Sequence, residues 1–338
     1  MELRRGVNLG GWLSQCRPSK EHFASFITRT DFDDIARMGF DHVRVSVDYN
    51  VLETEDGQAL ESGYRHLSDA VSWARDCGLN LIIDLHKAYG YSFGNANLAT
   101  GSTNTLFKDE SCQARFLDLW DSISFRFSDD AHVAFELLNE VVEPDAAEKW
   151  NELIRRAVKT IRKNAAEAPI IYGGVLWNSA STVEQLEKPT DANVIFNFHF
   201  YEPHLFTHQN VGWDRRLSNI GTVYFPDSTD AYNALSKEFR YASKTGSVDV
   251  TYIQALISRA AAAAEKAGVR LYCGEFGVID HAPAADTLNW FRAVDSVMRA
   301  YNIGCALWSY KRMNFGFIDA HYDPIRQDLL KLWTGKGD

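Results

Sequence analysis

The chain of 338 residues contains little cysteine and little proline. Its five cysteines are odd in number and never form a C-x-x-C pair, so the sequence predicts neither a disulfide framework nor a zinc site. The 8 prolines, 22 glycines and 46% hydrophobic residues exclude collagen-like repeats and extended disorder. The composition is that of an ordinary globular protein.

Long apolar runs and an excess of basic residues are also missing. No run approaches the ~18 residues that a membrane span needs, and the N-terminal MELRRGVNLGGWL has no apolar stretch typical of a signal peptide. With 45 acidic and 35 basic residues the net charge is -10, whereas a protein that binds duplex nucleic acid should be basic. We therefore expect a soluble monomer with no nucleic-acid partner and no membrane association. The sequence leaves its compartment open.

Short apolar segments rich in β-branched residues alternate with longer amphipathic segments, which is typical of parallel βαβ units. The sequence predicts eight strands, at residues 6–11, 42–47, 79–86, 133–140, 169–174, 193–201, 269–277 and 303–310. It predicts eight helices, at residues 31–38, 64–77, 110–127, 145–164, 181–187, 250–267, 284–301 and 325–333. This alternation predicts a single (β/α)8 TIM barrel, of the α/β class, over residues 1–338. A doubly wound sheet is the alternative, but no G-x-G-x-x-G follows the first strand.

Two long segments, at residues 87–109 and 202–249, connect a predicted strand to the next long helix. Both contain many aromatic residues. In a (β/α)8 barrel such loops lie at the C-terminal face, where active sites are built.

Several predicted strands have apolar interiors but end in a polar or aromatic side chain. These residues are Arg44, His86, Asn139, Glu140, His199, Tyr201, Glu275 and Trp308. Each alone has a structural explanation, since a single histidine at a strand end is more often a satisfied structural residue and a single tryptophan is more often core. The ends of the strands of a barrel surround one cavity, so the set as a whole predicts a site there.

Two of these residues are carboxylates on opposite sides of the predicted barrel. Glu140 ends the fourth strand and Glu275 lies near the end of the seventh, so they would face each other across the mouth. Glycoside hydrolysis needs such a pair, at a separation of ~5 Å for a retaining mechanism and ~9 Å for an inverting one. The structural alternative is that each carboxylate caps a helix.

The motifs around these residues resemble those of glycoside hydrolase family 5, the (β/α)8 barrels that include cellulases and mannanases. The matching stretches, in chain order, are RGVNLGGW, VRVSV, DLHKAYGYSF, ELLNE, FHFYEP, GEFG and ALWSY. They extend from Arg5 to about Tyr310, which is nearly the whole chain.

The resemblance implies a retaining mechanism with a division of roles. Glu140 would be the general acid/base and Glu275 the nucleophile. Arg44 and Tyr201 would favour the ionised form of Glu275, and His199 would tune the proton affinity of Glu140.

The resemblance also implies contacts with the sugar. Asn139 would bind the 2-hydroxyl, His86 would position Arg44 or a sugar hydroxyl, and Trp308 would stack beneath the sugar at the cleavage point. No metal and no cofactor would be needed.

The substrate class is suggested by the segment YEPHLFTHQNVGW, residues 201–213, which resembles a segment of family 5 endo-β-1,4-glucanases. Trp213 would stack a sugar, and His208 and Gln209 would hold the loop. This predicts internal cleavage of β-1,4-glucosidic bonds in cellulose-type or mixed-linkage β-glucans. Further candidates for a sugar platform, each of which could equally belong to the core, are Trp12, Tyr91, Trp177 and Tyr310.

Other readings stay open. Residues 210–212 differ from the family segment, and NLGGWL near the N-terminus also resembles the exo-β-1,3-glucanase branch. Exo-β-1,3-glucanase, β-mannanase and xyloglucanase activities are therefore alternatives, as is a non-catalytic glycan-binding barrel. A phosphate-handling barrel is disfavoured, because Glu275 places an acid where an anion would bind.

Overall fold

The computed structural model describes residues 1–94 and 104–335. Eight parallel strands close into a barrel in which each strand pairs with the barrel strands before and after it, and the last pairs with the first. They are β1 (Arg5–Asn8), β2 (His42–Asp48), β3 (Asn80–Lys87), β4 (Val133–Glu136), β5 (Ile170–Gly173), β6 (Val194–Phe200), β7 (Arg270–Phe276) and β8 (Gly304–Leu307). The predicted (β/α)8 barrel is confirmed.

Helices connect the strands on the outside of the barrel. They are α1 (Lys20–Ser25), α2 (Arg29–Met38), α3 (Tyr49–Leu52), α4 (Glu61–Asp76), α5 (Glu110–Arg126), α6 (Ala147–Arg162), α7 (His204–Thr207), α8 (Thr229–Leu235), α9 (Val250–Ala267), α10 (Ala284–Ala300) and α11 (Arg326–Thr334). Gly39 and Gly268 end α2 and α9 in the left-handed conformation, as expected of C-cap glycines.

The sequence pattern misses the short helices. The predicted helix at residues 181–187 is a 3₁₀ helix, Ala180–Gln185, and α1, α3, α7 and α8 have no counterpart among the predictions. Helices of four to seven residues complete at most two turns, which is too short for a helical period to show in the sequence. Within the described residues, no helix has both the length and the apolar character needed to cross a membrane.

The barrel interior is filled by side chains in layers, because successive residues of a strand point inward and outward alternately. The lowest layer is apolar and consists of Leu3, Ile82, Ala134, Ile171, Ile195, Tyr272 and Ala306. Two residues further along their strands, Asp84, Glu136 and Asn197 are fully buried. The interior therefore changes from apolar to charged just below the C-terminal mouth.

β7 carries one extra residue near its C-terminal end. The register of its pairing with β6 shifts by one residue just before Glu275, which leaves Gly274 with no residue opposite it in β6. Tyr272 points into the barrel, so in an unbroken strand Glu275 would point outward. A Cβ at position 274 would lie 2.7 Å from Nδ2 of Asn197, so only glycine fits there without displacement. The bulge at Gly274 therefore directs Glu275 into the mouth.

Some predicted strands extend too far. β4 ends at Glu136, four residues before Glu140, and β8 ends at Leu307, before Trp308. Beyond these points the chain turns away from its neighbours towards the loops, and only isolated bonds remain, such as that from the Asn139 N–H to the Leu85 carbonyl at 3.0 Å. Glu140 and Trp308 are thus placed by the first loop residues rather than by the regular ladder.

Candidate active site

Two carboxyl groups and one imidazole meet at the mouth of the barrel. Nδ1 of His199 lies 2.8 Å from Oε1 of Glu140 and 3.7 Å from Oε2 of Glu275. One oxygen or nitrogen atom from each of the three side chains lies within 4.8 Å of the others. Within the described residues this is also the one group of three such side chains that is close enough to hold a metal ion. The two predicted carboxylates are therefore close together, each within 4 Å of the same imidazole nitrogen.

The two carboxyl groups have different surroundings. Burial raises the pKa of Glu140 well above its ordinary value, and the charge of Glu275 raises it further. Burial also raises the pKa of Glu275, but Arg44 opposes the rise by donating to its Oε1 at 2.9 Å. The Tyr201 hydroxyl donates to Oε2 of Glu275, also at 2.9 Å. Glu275 is therefore the carboxyl group that ionises first, and Glu140 the one that keeps its proton.

The surroundings of His199 favour the neutral form of its imidazole. Burial and the positive charge of Arg44 lower its pKa well below the ordinary value. A neutral ring accepts a hydrogen bond at Nδ1 from protonated Glu140, and in its other tautomer donates one to ionised Glu140. His199 can therefore remain bonded to Glu140 in both protonation states.

His86 connects an aromatic surface to the charged layer below. Its Nδ1 lies 2.6 Å from Oδ2 of Asp84, and its Nε2 lies 2.7 Å from the amide nitrogen of Gln15. Burial lowers the pKa of His86 to about 3, so the neutral ring donates to Asp84 and accepts from Gln15. The ring stacks on Trp308 with centroids 5.8 Å apart and planes 5° apart. Asp84 in turn lies 3.1 Å from Arg44, so His86 supports both Trp308 and Arg44.

Asn139 lies beside Glu140 in the loop that follows β4. Its Oδ1 accepts a hydrogen bond of 2.9 Å from Nη2 of Arg44. The oxygen is therefore held by the protein, and the NH₂ group is the part of the side chain that could donate to a sugar hydroxyl.

Two of the remaining aromatic candidates lie at the surface. Trp213 and Trp177 are 57% and 38% exposed. The backbone N–H of Trp177 donates at 3.0 Å to the carbonyl of Val141, the residue after Glu140, so the loop after β5 is joined to the loop that carries the acid. Trp213 lies in the loop that follows β6, and its ring is exposed to solvent. Sugar stacking by Trp213 stays a prediction.

The other aromatic candidates are buried. Trp12, Tyr91 and Tyr310 are less than 5% exposed. The Tyr91 hydroxyl donates at 2.8 Å to Glu143 and accepts at 2.7 Å from the N–H of Val142. Tyr91 therefore joins the loop after β3 to the loop after β4, and a direct contact with substrate stays a prediction. The predicted loop at 87–109 includes residues 95–103, which lie outside the described residues.

Sequence reasoning missed the polar residues beneath the site. These are Asn8, Gln15, Asp84, Glu136 and Asn197. The available signal was a single polar residue inside an apolar strand, two positions before a strand-end residue, as with Asp84 before His86. Burial raises the pKa of Asp84 to about 6 and that of Glu136 to about 7, although Arg44 opposes both shifts. The negative charges of these two groups raise the pKa of Glu140, so this layer helps the acid to stay protonated.

Gln209 holds the long loop between β6 and α9, as the sequence suggests. The side chain is fully buried. Its Nε2 donates to the carbonyls of Phe206 at 3.0 Å and Val223 at 3.1 Å, and its Oε1 accepts from the Val223 N–H at 3.0 Å. These bonds join two parts of the loop that are 14 residues apart.

Replacement of Gln209 by leucine should destabilise the protein by about 2–4 kcal/mol, because it leaves buried backbone groups without partners. Chemical denaturation followed by tryptophan fluorescence measures the change. Gln254→Leu, at an exposed position of α9, is the matched control and should change stability little. Equal stability of the two variants would contradict this role of Gln209.

Comparisons with known proteins agree with this geometry. A model of the family described as Cellulase (glycosyl hydrolase family 5) matches residues 7–314. Endoglucanase C of Acetivibrio thermocellus is 35% identical over 342 residues, covering 98% of each chain. Cellodextrinase A of Ruminococcus flavefaciens is 39% identical over 300 residues, covering 88% of this chain and 83% of that protein. The crystal structure of Thermotoga maritima Cel5A in complex with mannotriose has a TM-score of 0.77 at 25% identity, covering 98% of this chain and 97% of that one. The chain therefore belongs to glycosyl hydrolase family 5, the cellulase family.

Proposed function

We propose that the protein is a retaining endo-β-1,4-glucanase that acts on cellulose-type or mixed-linkage β-glucans. The observation that carries the mechanism is the closeness of Glu140 and Glu275, which have oxygen atoms within 4.8 Å of each other. So short a distance between oxygen atoms favours direct attack on the sugar, because an inverting enzyme holds its two carboxyl groups about 6.5–9.5 Å apart to admit a water molecule between sugar and base. The names of the relatives, an endoglucanase and a cellodextrinase, support the choice of linkage.

The proposed reaction has two displacements at the anomeric carbon. In the first, a carboxylate oxygen of Glu275 attacks that carbon while Glu140 gives its proton to the departing glycosidic oxygen. In the second, Glu140 takes a proton from a water molecule, the water oxygen bonds to the same carbon, and the bond to Glu275 breaks. Each step inverts the carbon, so the product keeps the β configuration.

The surrounding residues support these steps in the proposal. Arg44 and Tyr201 hold the two oxygens of Glu275 in the orientation for attack. The NH₂ group of Asn139 donates to the sugar 2-hydroxyl, a bond that strengthens as positive charge develops on the sugar. Trp308, supported by the stacked ring of His86, faces the sugar at the cleavage point. Because the carboxyl groups perform both proton transfer and attack, the mechanism needs no metal or cofactor. We further propose a single-domain monomer over residues 1–338.

The linkage and the mode of cleavage can be tested on carboxymethyl cellulose, barley mixed-linkage glucan, laminarin and galactomannan. Viscosity and reducing ends are followed together. A rapid fall in viscosity with few new reducing ends on the first two substrates is the expected result. Activity confined to laminarin, with glucose as the first product, would replace the proposal with an exo-β-1,3-glucanase, and activity confined to galactomannan would indicate a mannanase.

Trp213→Ala should lower kcat/KM on the polymeric glucans by about 3- to 10-fold, the value of one aromatic stacking contact. Phe125→Ala is the matched control, because Phe125 is 71% exposed but lies near the C-terminal end of α5, at the opposite face of the barrel. Initial rates over a range of glucan concentrations measure the effect. Equal rates for the two variants would remove Trp213 from the substrate-binding residues.

A further inference from the structure

Arg44 uses all of its hydrogen-bond donors inside the barrel. Its Nε and Nη2 donate to the two oxygens of Glu136 at 2.7 and 2.8 Å. Nη1 donates to Oδ1 of Asn8 at 2.8 Å and to Oε1 of Glu275 at 2.9 Å, and Nη2 also donates to Asn139 at 2.9 Å. A guanidinium has five N–H groups, and Nη2 also lies 3.1 Å from Oδ2 of Asp84, so each of the five has an acceptor within reach. The other four hydrogen bonds of Arg44 therefore fix the direction of its bond to Glu275.

Glu136 sets the plane of the guanidinium. It is the partner that binds Arg44 through two parallel bonds, and both side chains are fully buried. Two parallel bonds fix the orientation of a guanidinium as well as its position, whereas a single bond leaves it free to rotate. With the Nε edge held by Glu136, one Nη1–H points at Glu275.

Glu136 is itself held by the strand that carries the nucleophile. Nδ2 of Asn197 donates to Oε1 of Glu136 at 2.9 Å, and Oδ1 of Asn197 accepts from the N–H of Gly274 at 2.8 Å. Gly274 is the bulge residue directly before Glu275. A closed ring of hydrogen bonds thus runs from the backbone of β7 through Asn197, Glu136 and Arg44 to the side chain of Glu275.

We propose that Glu136 is a positioning residue for the nucleophile, which acts through Arg44 and never touches the sugar. The inference rests on the proposed retaining mechanism and adds to it a residue outside the set predicted from the sequence. In Glu136→Gln the side chain keeps its size but loses one acceptor, and its NH₂ group faces an N–H of Arg44. Arg44 then turns, and its bond to Glu275 weakens.

The expected result for Glu136→Gln is a fall in kcat/KM of about 10- to 100-fold, which is the loss of one charged hydrogen bond. The fall should be equal for cellobiosides with good and poor leaving groups, because the nucleophile acts on both. A weaker bond to Arg44 favours the protonated form of Glu275, so the acid limb of the kcat/KM profile should move to higher pH. If Glu136 acted only as a negative charge, its removal would favour the ionised form of Glu275. The acid limb would then move to lower pH.

Asp191→Asn is the matched control for loss of an arginine–carboxylate pair. Asp191 binds Arg162 through two parallel bonds of 2.7 and 2.8 Å, just before β6 and far from the mouth. Its loss should lower the thermal midpoint and leave the pH profile unchanged. Wild-type kcat/KM and an unmoved acid limb in Glu136→Gln would overturn the proposal, and so would an acid limb that moves to lower pH. A wild-type chain inactive on every glucan and cellobioside would instead contradict the proposed function.

Discussion

Replacement of Glu275 by glutamine should lower kcat on β-1,4-glucans by at least about ten-thousandfold, the scale seen when an enzyme loses its nucleophile. The amide cannot form the ester with the sugar. Its oxygen can still accept from Arg44 while its NH₂ group donates to the Tyr201 hydroxyl oxygen, so the fold should be retained. Hydrolysis assays with protein that has a wild-type thermal midpoint measure this loss. Glu202→Gln changes a neighbouring carboxyl group that accepts the N–H of His204, a bond that the glutamine oxygen can still accept, and it should keep activity within a few-fold.

The role of Glu275 can be separated from that of Glu140 by stereochemistry. In Glu275→Ala, added azide can attack from the face that the carboxylate has left, and one inversion of an activated β-cellobioside gives the α-azide. In Glu140→Ala, azide instead captures the sugar from Glu275 and gives the β-azide. The opposite pair of products would exchange the two assignments.

Glu140→Gln should have the second largest effect, a loss of about a hundred- to ten-thousandfold on unactivated glucan, the usual range for a general acid. A 2,4-dinitrophenyl cellobioside needs no proton on its leaving group, so its first step should be nearly normal. The second step lacks its base, and the glycosyl-enzyme should accumulate. Stopped-flow absorbance should show a burst of dinitrophenolate followed by slow turnover, and mass spectrometry should place the adduct on Glu275.

The pH profile of Glu140→Gln provides an independent check. In the wild type the alkaline limb of kcat/KM follows loss of the Glu140 proton, whose pKa burial and Glu275 raise. In the variant that limb should disappear for the activated substrate, while the acid limb, set by Glu275, should remain. An alkaline limb unchanged from wild type would assign the acid to another group.

The sequence was sufficient for the barrel and for the residues at its mouth. Strands recur as short β-branched runs, and a reactive residue at the end of an apolar run is a local signal, as with His86 and Glu275. The role of Tyr91 shows one limit of such signals. The stretch DLHKAYGYSF, which contains Tyr91, resembles the family motif, but it does not show whether the ring faces solvent. The position of the ring depends on its hydrogen bond to Glu143, 52 residues away.

The charged layer beneath the mouth depends on long-range contacts that a single sequence does not contain. Arg44 meets Glu136 across 92 residues and Glu275 across 231. No repeat in the sequence links positions so far apart. A single acidic residue inside an apolar strand could equally indicate a β-bulge or a segment wrongly assigned as a strand. Only closure of the barrel makes these groups neighbours.

The bulge at Gly274 makes the number of residues in β7 as important as their identity. Glu275 points into the barrel because Gly274, the bulge residue, has no residue opposite it in β6. Gly274 therefore does not count in the inward and outward alternation of side chains along β7. Insertion of a single residue between Tyr272 and Gly274, with the one bulge kept, would leave the composition of the strand almost intact and yet turn the carboxylate towards the helices. This strand should therefore tolerate substitutions on its outer face more readily than an added residue, because an added residue reverses the direction of the nucleophile whatever its side chain.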